Sequence, residues 1–143
     1  MNLDLFKQGL IMATASRFSW DEADAGEDSV ALRTSYRTRK YDDAIGLSVE
    51  FNKEGTLVVT FCFDSIACNK ETLMLVNYFN RSVYFFKAYI SPVGYGNSLI
   101  VEYATPNCTS VEQASELVEQ AIMLLEDEGC AKYLCPLTIV TEA

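Results

Sequence analysis

The chain has 143 residues, half of them hydrophobic, which is enough for one globular domain with a core that needs no disulfides or metal. Eleven basic and twenty acidic residues give a net charge of −9. Because proteins bind nucleic acid mostly by neutralising phosphates with Lys and Arg, this balance argues against a nucleic-acid-binding role. We therefore expect a protein partner, and a basic one would be attracted over distance.

The chain lacks the signs of membrane insertion and of an oxidising compartment. Its start has no basic region before an apolar run, and no segment reaches the about 20 apolar residues of a membrane span. We expect a cytoplasmic protein without membrane contact. The sequence has five cysteines, an odd number, and no Cys-x-x-Cys pair, so we expect reduced thiols and neither a disulfide framework nor a zinc ribbon. They are Cys62, Cys68, Cys108, Cys130 and Cys135.

The first third of the sequence predicts one helix, a loop and a strand. Leu3, Phe6 and Leu10 recur at helical spacing and predict a helix of about three turns. Residues 21–28 are rich in Asp and Glu around Gly26, which is typical of a solvated loop, and they do not keep the register of a calcium loop. Residues 30–40 predict a strand with a polar face.

Two alternating segments predict a β-hairpin. Residues 45–51 place apolar side chains at every second position, and residues 52–55 form its turn. Residues 57–63 follow as a second strand. Leu57, Val59, Phe61 and Phe63 share one face, and the other face is only mildly polar, which predicts a central position in the sheet.

The middle of the chain changes from helical to strand spacing. Asn69 is placed to cap a second helix, which Leu73, Val76 and either Tyr78 or Phe79 would bury and which should end near residues 80–82. The continuous apolar run of residues 83–90 predicts an internal strand. Residues 91–97 predict a turn, and residues 99–104 a further strand.

A third helix is the most regular element of the sequence. Apolar residues recur at three- and four-residue steps from Val111 to Leu125. Thr109 or Ser110 would cap its start, with Glu112 or Gln113 completing a capping box, and Gly129 would end it in a left-handed conformation. Its other face is acidic and has no basic residue. Leu134, Leu137, Ile139 and Val140 suggest a short segment beyond it.

This order of elements resembles the YbjN family, which has the type III secretion chaperone-like fold. The similar segments are residues 76–80 (VNYFN), 86–90 (FKAYI), 98–103 (SLIVEY) and 109–112 (TSVE), within residues 45–128. The resemblance implies a single α+β domain over residues 1–143, with an antiparallel sheet packed by helices in the order helix, strands, helix, strands, helix. It also implies a dimer without catalytic activity and a chaperone-like or regulatory role.

The residues give little support for catalysis. There is no histidine, which removes the commonest general base and metal ligand. Cys108, just before the third helix, is the one thiol placed for a lowered pKa. Glu50 and Glu102 could meet across the sheet as an acid and a base. An enzyme or small-molecule-binding protein that uses cysteines or carboxylates is therefore the alternative, but we expect no enzymatic activity, cofactor or metal.

Apolar residues on both faces of the predicted strands indicate an interaction protein. Three helices are not expected to cover both faces, so the chain's first helix, a second copy or a client segment would complete the cover. We expect a homodimer that binds a protein or peptide partner. The candidate interface residues are Leu73, Val76, Tyr84, Phe85, Phe86 and Tyr89. Asn77 and Asn80 have side-chain amides that could bind a ligand, although a structural role is the preferred interpretation.

Overall fold

The computed structural model of the chain describes residues 2–41, 44–93 and 96–138. They form an α+β structure in which one antiparallel sheet is packed by helices, as the sequence predicts. The helices are α1 (Leu3–Ala13), α2 (Lys70–Ser82), α3 (Val111–Leu125) and α4 (Glu128–Thr138). The strands are β1 (Asp21–Ala23), β2 (Ser29–Arg37), β3 (Ala44–Asn52), β4 (Leu57–Phe63), β5 (Lys87–Val93) and β6 (Gly96–Thr105).

The six strands lie in the order β1-β2-β3-β4-β6-β5, and every neighbouring pair is antiparallel. β4 is central, as its two-faced apolar pattern predicts. The turn between β3 and β4 is closed by the N–H of Gly55, which donates to the carbonyl of Asn52 at 3.0 Å. Gly55 has a φ of +90°, a conformation that residues with a Cβ rarely adopt, so glycine is required there.

The core lies on one face of the sheet, which we call the inner face. The fully buried Leu57, Val59 and Phe61 of β4 point into it and meet Phe79 of α2, which is also fully buried. On α1, the ring of Phe6 stacks on that of Phe51 of β3 with centroids 3.9 Å apart. The strand residues of the hydrophobic core come from the inner face, and we call the opposite face the outer face.

The helix starts follow their capping signals. The side chain of Asn69 accepts a hydrogen bond from the N–H of Thr72, whose hydroxyl accepts one from the N–H of Asn69, so α2 begins with a reciprocal capping box. Ser110, one of two predicted caps, accepts from the N–H of Gln113 at 3.1 Å and starts α3. These bonds satisfy backbone donors that the first turn of a helix leaves free.

Three sequence predictions about secondary structure are wrong. The acidic loop contains β1, which pairs with β2. Gly129 does not end α3, because α3 ends at Leu125 and Gly129 lies in the first turn of α4, where its N–H donates to the Asp127 carboxylate at 3.0 Å. The predicted internal strand begins at Lys87 rather than residue 83, and as β5 it occupies an edge of the sheet.

The predicted turn over residues 91–97 is shorter than expected. β5 extends to Val93 and β6 resumes at Gly96, with Ser91 paired to Ser98. Pro92 is compatible with this strand because it lies on an edge, where a missing N–H costs the sheet no ladder bond. The segment predicted after α3 is the helix α4, and its expected apolar residues Ile139 and Val140 lie outside the described residues.

Candidate protein-interaction surface

The solvent-facing side of α2 carries exposed apolar side chains among its polar ones. The helix buries Thr72, Val76 and Phe79 on one side and leaves Met74 62% exposed on the opposite side, with Tyr78 also exposed. Met74, Tyr78 and Arg81 recur at three- and four-residue steps, so they form one continuous face. Exposed Leu73 flanks this face. We call the group Leu73, Met74, Tyr78 and Arg81 the α2 surface.

α4 extends the α2 surface and gives it shape. The ring of Tyr133 on α4 packs edge-on against Tyr78 with centroids 5.2 Å apart, and the guanidinium of Arg81 lies 5.5 Å from the Tyr78 ring centroid. A shallow groove of ≈ 470 Å³ lies on α2 itself, lined by Met74, Leu75, Asn77, Tyr78 and Arg81. The arrangement offers a partner flat aromatic surface and a cation.

The connection from α2 to β5 adds two further exposed aromatic residues. α2 ends where the N–H of Val83 donates to the carbonyl of Phe79 at 2.8 Å, and Val83 itself is buried. Tyr84, which follows, is 90% exposed, and Phe85 is exposed on one side and contacts Phe86 on the other. Because apolar burial drives association, these exposed aromatic side chains make the region a candidate contact site.

The structure divides the predicted interface residues. Leu73, Tyr84, Phe85 and Tyr89 are exposed. Val76 and Phe86 are only 6% and 4% exposed and belong to the core, so they are not accessible to a partner and that part of the prediction is wrong. Tyr89 lies on the outer face of the sheet, where its hydroxyl donates to Glu102 at 2.7 Å.

The two asparagines have different positions. Asn80 points at β5 and forms two hydrogen bonds with the backbone of Ala88, at 2.7 and 2.8 Å. This is the structural role that the sequence favours. Asn77 is exposed on α2 and lines the groove, so its amide faces the space where a partner would sit.

The candidate nucleophile is not activated. Cys108 is fully buried, and desolvation raises the pKa of its thiol above the usual value of 9.0. Cys108 is thus a packed thiol, the interpretation that the sequence favours, and burial outweighs the pKa-lowering effect that its position before α3 could have had. Burial likewise raises the pKa of Cys62 and Cys135, and that of Cys130 to about 12.

The candidate carboxylate pair does not form. Glu50 pairs with Val58 and Glu102 with Thr60, so the two acids lie on β3 and β6 with β4 between them. Glu102 instead accepts a hydrogen bond from the hydroxyl of Tyr89. No group of three or more Cys, Asp or Glu side chains suited to a metal ion occurs among residues 2–41, 44–93 and 96–138. Within those same ranges, no helix is long and apolar enough to cross a membrane.

The acidic face of α3 is partly neutralised by basic residues from elsewhere in the chain. Arg17 forms an ion pair with Glu119 of α3, and Lys40 forms one with Glu128, which the sequence assigned to the same face but which begins α4. Burial by itself would raise the pKa of Glu126, but hydrogen bonds from the Tyr36 hydroxyl and the Arg39 N–H outweigh it and lower the pKa from the usual 4.5. Part of the acidic face therefore serves the fold and is not free to attract a partner.

Comparison with known proteins identifies the fold. No protein-family model and no curated protein sequence matches the chain. Among solved structures, the crystal structure of YbjN from E. coli, a candidate transcription regulator, matches with a TM-score of 0.60 at 17% sequence identity. The match covers 95% of this chain and 90% of that one. The chain has the YbjN fold. The YbjN-like topology predicted from residues 45–128 thus extends over nearly the whole chain.

Sequence reasoning missed Met74, Arg81 and Tyr133 within this YbjN-like structure. Met74 and Tyr78 are four residues apart and lie opposite the buried positions 72, 76 and 79, so a helical projection of α2 contains the signal. Tyr133 could not be found in this way, because its contact with Tyr78 depends on how α4 packs against α2.

Proposed function

We propose that this protein is a non-enzymatic interaction module of chaperone-like or regulatory type, which binds a segment of a protein partner on the α2 surface. The observation that carries the proposal is the continuous exposed face of Met74, Tyr78 and Arg81, opposite a well-packed buried face of the same helix. A helix without a functional contact would be expected to place polar side chains there. The E. coli protein of this fold is itself a candidate regulator.

The chemistry of the surface suggests the kind of partner. Apolar and aromatic side chains of a short segment would cover Met74 and Tyr78, and Asn77 could bond its backbone. The net charge of −9 would draw a basic partner toward the molecule before the apolar contact forms. We further propose that the protein acts in the cytoplasm as a homodimer.

The groups considered for catalysis are not activated in the part of the chain that the structure describes, which supports a non-enzymatic role. The sequence contains no histidine, and the thiols of Cys62, Cys108 and Cys130 have raised pKa values, which disfavours the reactive thiolate. Glu50 and Glu102 are held on separate strands. The enzyme alternative would gain support from a substrate that reacts at one of these groups.

The test is quantitative binding of a captured partner. A partner isolated from the source cell with the purified protein would be mapped to a peptide, and its affinity measured by calorimetry. Met74→Asp and Tyr78→Asp should weaken binding at least about tenfold, because each places a charge in an apolar contact. Glu116→Lys, on the exposed side of α3, is the matched control and should leave the apolar contact intact. Equal effects of all three variants would refute the α2 surface as the binding site.

A further inference from the structure

Within residues 2–41, 44–93 and 96–138, no helix packs on the outer face of the sheet, and most of its central side chains are uncharged. Alternation along each strand assigns its members, since cross-strand partners share a face. The central outer-face residues are Ala31, Arg33 and Ser35 of β2, Gly46, Ser48 and Glu50 of β3, Val58, Thr60 and Cys62 of β4, and Ile100, Glu102 and Ala104 of β6. Apart from the buried Ala31, none of these residues is a buried hydrophobic residue of the core, so most of this face is available for contact.

One row of residues crosses all six strands of the outer face with an ordered pattern of charge. Cross-strand pairing places the row in the sequence Asp21, Arg33, Ser48, Thr60, Glu102 and Lys87. From one edge to the other, the row reads acid, base, neutral, neutral, acid, base. Rotation by 180° about a line between β3 and β4, parallel to the strands, therefore brings each charge opposite one of the other sign.

Within the described residues these charges form no close ion pair, although each acid is the cross-strand neighbour of a base, Asp21 of Arg33 and Glu102 of Lys87. Asp21, Arg33 and Lys87 form no ion pair with any residue of the described ranges, and all three are exposed. Glu102 accepts a hydrogen bond from Tyr89, and the Lys87 ammonium lies 5.6 Å from the Tyr89 ring centroid. These contacts hold Glu102 and Lys87 at the surface, beside each other on neighbouring strands but without a close ion pair between them.

We propose that the outer face is a homodimer interface, in which a second copy packs face to face about a two-fold axis parallel to the strands and midway between β3 and β4. Arg33 then faces Glu102 of the second copy, and Ser48 faces Thr60 of the second copy, with each contact occurring twice. An axis through the same row but perpendicular to the strands would set Arg33 against its own copy, which charge repulsion disfavours. The inference assigns a surface to the dimer of the proposed function and leaves the α2 surface free for a partner.

Shape complements charge in the neighbouring row. That row consists of Ser35, Gly46, Cys62 and Ile100, so its side chains are smaller on β2 and β3 and larger on β4 and β6. A depression of ≈ 350 Å³ lies here, with Gly46, Ser48, Cys62 and Ile100 among its lining residues. The same rotation places Cys62 and Ile100 of the second copy over Gly46 and Ser35. Larger side chains thus meet smaller ones across both halves of the interface.

The area is sufficient for a specific contact. Six strands about 4.8 Å apart and about seven residues long, at about 3.4 Å per residue, give a projected face on the order of 600 Å² per copy. Standard interfaces bury about 800 Å² of accessible surface per partner, and the accessible surface of a side-chain layer exceeds its projection. The outer face is therefore large enough for a standard interface, while its affinity must be measured because area alone does not determine it.

Charge reversal and its rescue test this interface directly. Sedimentation equilibrium would compare the wild type with Arg33→Glu, Glu102→Arg and the double variant. Each single variant should raise the dimer dissociation constant at least about tenfold, because it creates two like-charge contacts. The double variant should restore the dimer. Arg33 and Glu102 of one chain are three strand spacings, about 14 Å, apart, so rescue cannot come from within one chain.

Two further variants serve as controls for the charge-reversal experiment. Tyr89→Phe removes the hydrogen bond to Glu102 but keeps its charge, and should leave the dimer intact. Arg33→Gln is milder than reversal and should weaken the dimer and its salt dependence even if the reversed variants fail to fold, which circular dichroism would show.

A monomeric wild type, or dimers that Arg33→Gln and the reversed variants leave unchanged, would overturn the proposal. So would dissociation by Met74→Asp alone, which would place the self-interface on α2. Peptide binding by the α2 surface is measured separately and does not depend on this result.

Discussion

The side-chain amide of Asn80 both donates a hydrogen bond to the backbone of Ala88 and accepts one from it, as the backbone of a neighbouring strand would. The Ala88 N–H donates to Asn80 Oδ1 at 2.7 Å, and Asn80 Nδ2 donates to the Ala88 carbonyl at 2.8 Å. Ala88 lies on the edge strand β5, so these bonds close part of an edge that could otherwise pair with another chain. Pro92, four residues on, presents no N–H to the same edge.

Asn80→Ala should destabilise the protein by about 1–3 kcal/mol, because the Ala88 backbone groups lose their partner. It should also increase concentration-dependent aggregation through the opened edge of β5. Urea unfolding and light scattering would measure the two effects. Asn77→Ala is the matched control on the same helix and should change stability by less than about 0.5 kcal/mol. Equal losses for both variants would contradict the assigned role of Asn80.

Sequence patterns predicted the fold well where one face of an element is buried. Alternation in β3 and β4, the period of α3 and the cap at Asn69 each follow from local chemistry, and the structure confirms them. The start of β5 could not be found in this way. Residues 83–90 are almost continuously apolar, and it is the contact of Asn80 with Ala88, together with the bond from Val83 to Phe79, that keeps residues 84 and 85 out of the strand.

The candidate site shows a similar division. Of the predicted interface residues in this region, Tyr84 and Phe85 are exposed, whereas Val76 and Phe86 are in the core. An apolar residue has the same sequence signature whether it packs against its own core or against a partner, so composition cannot separate the two. The break between α3 and α4 was missed because Gly129 is a usual helix stop, whereas here Asp127 accepts its N–H within a new helix start.

The division between core and surface aromatics can be measured by truncation. Phe79→Ala should cost about 3–5 kcal/mol of unfolding free energy, because Phe79 is fully buried between α2 and the sheet. Tyr84→Ala removes a side chain that is 90% exposed and should cost less than about 0.5 kcal/mol. Chemical denaturation of both variants gives the comparison. A large loss for Tyr84→Ala would mean that Tyr84 packs within the chain and is not free to meet a partner.

Thiol labelling should resolve three reactivity classes. Cys68 is exposed and should react first with a disulfide reagent at pH 8. Cys62 and Cys135 are half-buried with raised pKa values and should react slowly, whereas buried Cys108 and Cys130 should react only after unfolding. Cys68→Ser should remove the fast phase. Rapid labelling of Cys108 would instead revive the nucleophile hypothesis.

Glu126 gives a prediction for acid stability. Its lowered pKa means that the ionised form stabilises the fold, fully above about pH 4.5, and that this contribution is lost as the pH falls through the lower folded-state pKa. Glu126→Gln should therefore cost about 1–2 kcal/mol at pH 7, and the difference from wild type should shrink below pH 4.5. Glu116→Gln, an exposed neighbour on α3, controls for net charge. A difference that stays constant to pH 3 would show that Tyr36 and Arg39 do not favour the carboxylate.

The most direct test of the central claim is site-specific photo-crosslinking in the source cell, with benzoylphenylalanine in place of Tyr78. The same residue in place of Glu116 on α3 is the control. If the α2 surface binds a partner, position 78 should give a discrete adduct with a different protein, and position 116 should not. An adduct of the same yield at both positions would contradict the claim, as would position 78 forming adducts only with a second copy of the chain.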